Sequence, residues 1–170
     1  ELFCQWDAFV RIVGRPPSHV DGHQHIHQLP GVCGPLISAI KEISENELPY
    51  IRTCSEDFAA IVKRRVCSTR AAILSAVGGR LRTLATDNGL AINNGFTGIY
   101  NFSLERDYRQ LMPKFLVQAK SNTILLCHTG LPDTQYRQDP IANARMAEYR
   151  FFSSPEFLDL LGEEDIRLGR

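Results

Sequence analysis

His23, His25 and His27 alternate with other residues in the run His19-Val20-Asp21-Gly22-His23-Gln24-His25-Ile26-His27. Four of the chain's five histidines fall within these nine positions, which sets the run apart from an ordinary solvated polar loop, its plain alternative. In an extended backbone, side chains two apart share a face. The spacing therefore predicts Asp21, His23, His25 and His27 converging on one side. Imidazole nitrogens and a carboxylate are the ligand set of zinc and of several other divalent transition metals. A bound divalent ion lowers the pKa of its water to about 7 and polarises a carbonyl oxygen. Hydrolysis then needs a base on that water and an acid on the leaving group, and histidine serves either role near neutral pH.

Two other residues join this chemistry once the elements that carry them are read. Leu2, Trp6, Phe9, Val10 and Val13 are spaced as a helix that Gly14 ends, with Trp6 in the core. A short strand follows near Ser18–Gly22 and runs into the histidines. Leu36, Ile37, Ile40 and Ile43 stripe a second helix, Tyr50–Thr53 reads as a strand, and Ser55 caps a long helical stretch to about Leu84, interrupted at Gly78-Gly79. Asp87-Asn88-Gly89 is a turn. Leu90–Asn93 and Thr97–Phe102 are short strands or ordered loop. Leu104, Tyr108, Leu111 and Phe115 mark a helix that Pro113 can kink. Thr123–His128 is the clearest buried strand. Ile141–Phe151 is helical, Ser154-Pro155 opens a helix over Glu156–Leu161 that Gly162 stops, and Ile166–Leu168 is a last strand.

Short strands alternating with longer helices give an α/β fold with a mostly parallel sheet, in which ligands bind at the C-terminal strand ends. His23, Arg52 and His128 each follow a strand and so meet at one rim. His128 is the isolated histidine and the candidate catalytic acid for a leaving amine; its bland alternative is a capping or core histidine. Arg52 is the candidate substrate-binding residue, able to orient a carboxylate or hold a developing charge, although a structural ion pair is the stronger reading of an arginine taken alone. Phe96 and Tyr100, in a glycine-bearing segment, could reach the rim as a platform for a sugar ring.

Composition narrows the class. At 170 residues, 44% hydrophobic and 22% charged, the chain suits one domain with a sizeable core. Nineteen basic and nineteen acidic side chains balance, so nothing marks a nucleic-acid partner, and no apolar run suggests a membrane span. No signal peptide is visible, which points to the cytoplasm. Five cysteines without C-x-x-C spacing argue against a disulfide framework or a thiolate zinc knuckle and for reduced, mostly buried thiols. This composition is compatible with a homo-oligomer.

The stretch Gly14–Pro30, with Gly14, Pro17, His19, Asp21-Gly22-His23, His25, His27 and Pro30, resembles the signature of the YdjC/ChbG-like carbohydrate deacetylases. Glu1-Leu2 and Gln5 resemble the helix before that signature. Leu48-Pro49-Tyr50-Ile51-Arg52 looks like the family's next strand. Leu126-Cys127-His128-Thr129-Gly130 looks like its late Cys-His-Pro-Gly segment, with Thr129 in place of proline, and Arg145 and Glu148 sit where an R-x-x-E pair follows. The histidine signature is highly specific; the other matches gain weight from their order. The resemblance implies a β/α barrel related to polysaccharide deacetylases. It implies a divalent metal, magnesium or zinc, and removal of N-acetyl groups from N-acetylated sugars such as chitooligosaccharides. It makes His23 a metal ligand, His25 a weaker ligand, and His128 an acid/base.

Two motifs of the family are missing: an Asp-Asp-Phe-Gly strand end and an early Gly-x-His. Residue 1 is Glu rather than Met, so residues 1–170 are expected to be a single, N-terminally truncated domain, a partial barrel without its first strands. The isolated chain is then expected to be inactive or weakly active. Two other readings stay in view. One is a different metallohydrolase with an H-x-H pair on a strand. The other is a non-catalytic descendant that binds a sugar or a protein.

Overall fold

Leu2–Val13 wind into α1 as their spacing predicts, and Gly14 ends the helix in the left-handed conformation, φ 76°, with its N–H bonded to the Val10 carbonyl. In this computed structural model, which describes residues 1–44, 47–102, 107–131 and 139–169, α1 buries no residue. Phe3, Phe9, Ile12 and Val13 are exposed and Trp6 is only partly covered, so the expectation of a core tryptophan is corrected.

The fold is mixed α/β with short parallel sheets. β1 (His19–Val20) pairs with β2 (Tyr50–Ile51), and β3 (Gly95–Thr97) pairs with β4 (Thr123–Leu125), both in parallel. Among the described residues one isolated parallel bridge, between Ile51 and Ile92, joins β2 to the segment that leads into β3. Asn93 ties the same seam: its side chain accepts from the Thr53 N–H and donates to the carbonyls of Thr53 and Gly95. The strands therefore follow in chain order with their C-terminal ends on one side, the arrangement that successive β/α units impose.

Between β1 and β2 lies α2 (Cys33–Ile43). The expected long helix after Ser55 is two helices, α3 (Phe58–Arg64) and α4 (Ser68–Asp87). Arg65 and Cys67 both take positive φ and break the chain there. The cap is Asp57, whose carboxylate accepts from the Ala59 N–H, and not Ser55. Gly78 and Gly79 lie inside α4 without interrupting it. A Cβ at Gly78 would come within 2.7 Å of the Ser55 nitrogen and 2.8 Å of Gln28 Oε1, so the glycine lets α4 approach the end of β2.

Asn88-Gly89 form the expected turn. α5 (Tyr108–Leu116) holds Pro113 in its interior; Leu104 lies outside the described residues. α6 (Ala142–Phe152) and α7 (Pro155–Glu163) close the chain. Pro155 takes the first turn as expected, but Gly162 sits within α7 and Ile166–Leu168 form no strand.

The buried core has three parts. Leu36, Ile37, Ile40, Ile51 and Leu81 pack between α2, β2 and α4. Cys54, Ile61, Ala71, Phe96 and Ile99 pack behind the strand ends. Tyr100, Tyr108, Leu111, Phe115 and Phe151 gather the later helices. β4 is only partly buried rather than the buried strand expected. Cys33 and Cys54 are buried, Cys67 is intermediate and Cys4 and Cys127 are exposed, all of them free thiols, so the thiols are less uniformly buried than expected. Among the described residues no helix is long and apolar enough to cross a membrane.

Candidate active site

Beyond Val20 the chain does not stay extended. His23–Gln28 form a kinked 3₁₀ turn, with Gln24 and His25 at φ 51° and 65°. The expectation that three alternating histidines share one face is therefore corrected, because that alternation holds only for extended backbone. The turn has a local cause: Gln28 and His27 are drawn inward onto the backbone at the end of β2. Gln28 Oε1 accepts from the Cys54 N–H at 2.6 Å, and His27 Nε2 lies 2.8 Å from the Arg52 carbonyl oxygen, so this nitrogen carries the proton. His23 is left exposed. His25 lies between them, partly buried, edge-on to the Phe96 ring at 5.8 Å and with Nδ1 3.4 Å from Cys54 Sγ.

Burial lowers the His25 pKa to about 4, and the Arg52 charge adds to the effect. The ring is therefore neutral at pH 7, the form in which an imidazole offers a lone pair. His27 is also lowered by burial, against the pull of its bond to the Arg52 carbonyl.

Arg52 is buried below this turn. One guanidinium nitrogen pairs with Asp21 Oδ1, another donates to Cys54 Sγ at 3.0 Å, and the group lies 5.2 Å from the centre of the Phe96 ring. Burial alone would disfavour its charge, but the Asp21 and Cys54 contacts raise its pKa above the ordinary value. Burial likewise works against ionisation of Asp21, and Arg52 outweighs it, so that carboxyl lies below its usual range. Arg52→Ala is expected to lower the unfolding free energy by about 2 kcal/mol, since it strips the charge partner from Asp21 and leaves a void beside Phe96. Arg52→Lys should restore only part of this, because one ammonium cannot span both partners. Urea denaturation of the three proteins measures both effects.

A second cluster stands at the end of β4. His128 lies three residues past Leu125, its ring edge-on to Phe102 at 4.9 Å. Its backbone N–H donates to Glu148 Oε2, and its Nδ1 is 3.6 Å from Glu148 Oε1. Glu148 is completely buried. Tyr100 donates its hydroxyl to Glu148 Oε1 at 2.5 Å, and burial together with this bond raises the tyrosine pKa. Arg145 bridges the His128 carbonyl and Asp139.

The structure thus brings Asp21, His25, Arg52, Cys54 and Phe96 together at one end of the rim and places His128 with Tyr100 and Glu148 at the other. Among the described residues no hydrogen bond, ion pair or ring contact joins His128 to His23, His25 or Arg52. Phe96 and Tyr100 are 0% and 5% exposed, so they support the rim from within and do not present an open platform. Sequence reasoning missed Cys54 and the inward role of Gln28. Glu148, named in the sequence only as half of the R-x-x-E pair, shares the buried stripe of α6 with Ala144 and Phe151 at helical spacing.

Among the described residues no three His, Cys, Asp or Glu side chains are grouped so as to hold a metal ion. His23 and His25 can supply imidazoles, but this donor set does not fit a complete metal shell, which for zinc takes about four ligands.

Comparison with known proteins bears on the same residues. The profile of the family described as YdjC-like protein matches residues 1–163. Chitooligosaccharide deacetylases of Yersinia pestis strain Pestoides F and Yersinia pseudotuberculosis serotype O:1b are each 26% identical over 170 residues. The alignment covers 99% of this chain, which spans 57% of the length of those relatives. A crystal structure from Enterococcus faecalis V583, of a protein named as a candidate for cellobiose-phosphate cleavage, shares the fold. It has a TM-score of 0.61 at 16% identity, over 99% of this chain and 56% of that one.

Proposed function

This chain belongs to the YdjC-like protein family, and from that premise we propose that it is part of a metal-dependent carbohydrate deacetylase, a hydrolase that cleaves the C–N amide bond of N-acetylated sugars or oligosaccharides. The relatives named chitooligosaccharide deacetylases support the substrate class. The observation that carries the reading is the rim itself: the histidine turn after β1 and His128 after β4 stand at the C-terminal ends of parallel strands, where β/α folds do chemistry. In this reading the strands are a portion of a β/α barrel related to polysaccharide deacetylases.

His23 and His25 are the proposed metal ligands, with the rest of the shell supplied from outside the described residues. Magnesium or zinc, when bound, would supply the activated water. His128 is the proposed acid for the leaving amine. Arg52 acts at the rim, through Asp21 and the histidine turn as much as on the substrate. An N-acetylated sugar partner and a cytoplasmic location are parts of the same reading. On the same reading, the absence of the family's Asp-Asp-Phe-Gly and early Gly-x-His motifs from this sequence makes the 170 residues alone expected to be inactive or weakly active.

The test is acetate release by the full-length protein from an N-acetylglucosamine oligosaccharide. Release should stop with a chelator and return with magnesium or zinc, and His23→Ala or His25→Ala should lower bound metal. Full metal content and full activity in both variants would overturn the ligand assignment. Sugar binding without acetate release, in the metal-loaded protein, would favour the non-catalytic reading.

A further inference from the structure

Glu148 is a fully buried carboxylate, and among the described residues its one ion pair is with His128. Burying a carboxylate away from water costs several kcal/mol unless hydrogen bonds replace the lost solvent. Here both oxygens are engaged. Oε2 accepts the His128 backbone N–H, which fixes the chain at the end of β4, and Oε1 accepts the Tyr100 hydroxyl at 2.5 Å. Oε1 also lies 3.6 Å from His128 Nδ1, close enough for charge attraction though beyond direct hydrogen-bond reach. That nitrogen is buried and has no hydrogen-bond partner among the described residues, while the His128 side chain as a whole is 25% exposed. The ring therefore turns one nitrogen into the protein and leaves Nε2 as the nitrogen that solvent or a ligand can reach. Phe102 holds the ring plane edge-on.

A carboxylate facing one ring nitrogen holds the proton there and leaves the other nitrogen with the lone pair. We propose that Glu148, itself anchored by Tyr100, is the positioning residue that keeps His128 protonated on Nδ1 and reserves Nε2 for proton exchange at the rim. This rests on the reading of His128 as the acid for the leaving amine. In that step His128 begins as imidazolium. The oxyanion of the tetrahedral adduct reforms the carbonyl, the C–N bond breaks with its electron pair passing to nitrogen, and that nitrogen takes the Nε2 proton. The products are acetic acid, which ionises in water, and the amino sugar. His128 is left as the neutral Nδ1–H tautomer, opposite Glu148, and regains its Nε2 proton from solvent.

The direct measurement is the tautomer of neutral His128 in the ¹⁵N-histidine-labelled full-length protein, by long-range ¹H–¹⁵N NMR, with the resonance assigned from the His128→Gln spectrum. The wild-type protein should show the Nδ1–H form. Glu148→Gln, which puts an amide donor opposite Nδ1, should move the population toward Nε2–H and lower kcat by roughly ten- to a hundredfold with KM within about twofold. Tyr100→Phe should keep the Nδ1–H tautomer, since the carboxylate remains. An Nε2–H tautomer in the wild-type protein would overturn the proposal even if no variant folds, as would an unchanged tautomer in a folded Glu148→Gln protein. A wild-type Nδ1–H tautomer that shifts in Glu148→Gln, in a protein that releases no acetate, would instead sink the deacetylase reading and leave the Glu148–His128 pairing standing.

Discussion

His128→Ala in the full-length protein is expected to cut acetate release by about two to four powers of ten, the usual contribution of a positioned acid. KM should change little, and bound metal should be unchanged. The reason is geometric. The ring makes one edge contact with Phe102 and one approach to Glu148, and none of the described contacts links it to His23 or His25. The backbone N–H that Glu148 accepts survives the substitution, so the end of β4 should hold its place. Steady-state kinetics together with metal analysis separates the possibilities. Parallel loss of metal and turnover would make His128 a ligand, and unchanged turnover would remove it from the chemistry.

Gly98→Ala should be the most damaging small substitution for the fold. Gly98 has φ 97°, and a Cβ there would stand 2.2 Å from the Leu126 carbonyl oxygen and 2.9 Å from the Leu126 nitrogen. These are backbone atoms of the segment that follows β4, so no side chain can swing away. The same segment is tied by the Leu126 N–H bonded to the Thr97 carbonyl at 2.9 Å. Positive-φ strain for a non-glycine residue costs about 1–3 kcal/mol, and forcing the strand ends apart a similar amount, so a loss of about 3 kcal/mol or more is expected in urea denaturation. Tyr100 lies two residues on, and its hold on Glu148 should loosen with it. Gly79→Ala is the control: nothing lies within 4 Å of its Cβ, and in mid-helix alanine should stabilise by about 0.5–1 kcal/mol. A Gly98→Ala protein as stable as the wild type would show that β3 and β4 separate without cost.

Much of the fold could be read from local pattern. The helices α1, α2, α6 and α7 follow from apolar spacing and from Gly14 and Pro155, because helix periodicity and end signals act over a few residues. The strands are shorter than the sequence reading of them: β2 and β4 span two and three residues, and one further bond follows each, from the Arg52 N–H to the Val20 carbonyl and from the Leu126 N–H to the Thr97 carbonyl. The break between α3 and α4 carried no glycine or proline to announce it. It rests on Arg65 and Cys67 adopting left-handed backbone, a conformation that neither residue type signals.

The candidate site divides in the same way. Residue types and order by themselves determined that His23, His25, Arg52 and His128 would follow strands at one rim, since parallel strand order places their ends together whatever the side chains do. Only the tertiary structure decided which way each one faces. The histidine run winds into a turn because Gln28 and His27 find backbone partners beside β2, and Arg52 is held by Asp21 and Cys54. Glu148 reaches His128 from 20 residues away along the chain. Such contacts depend on burial and on partners distant in sequence, and no local spacing encodes them.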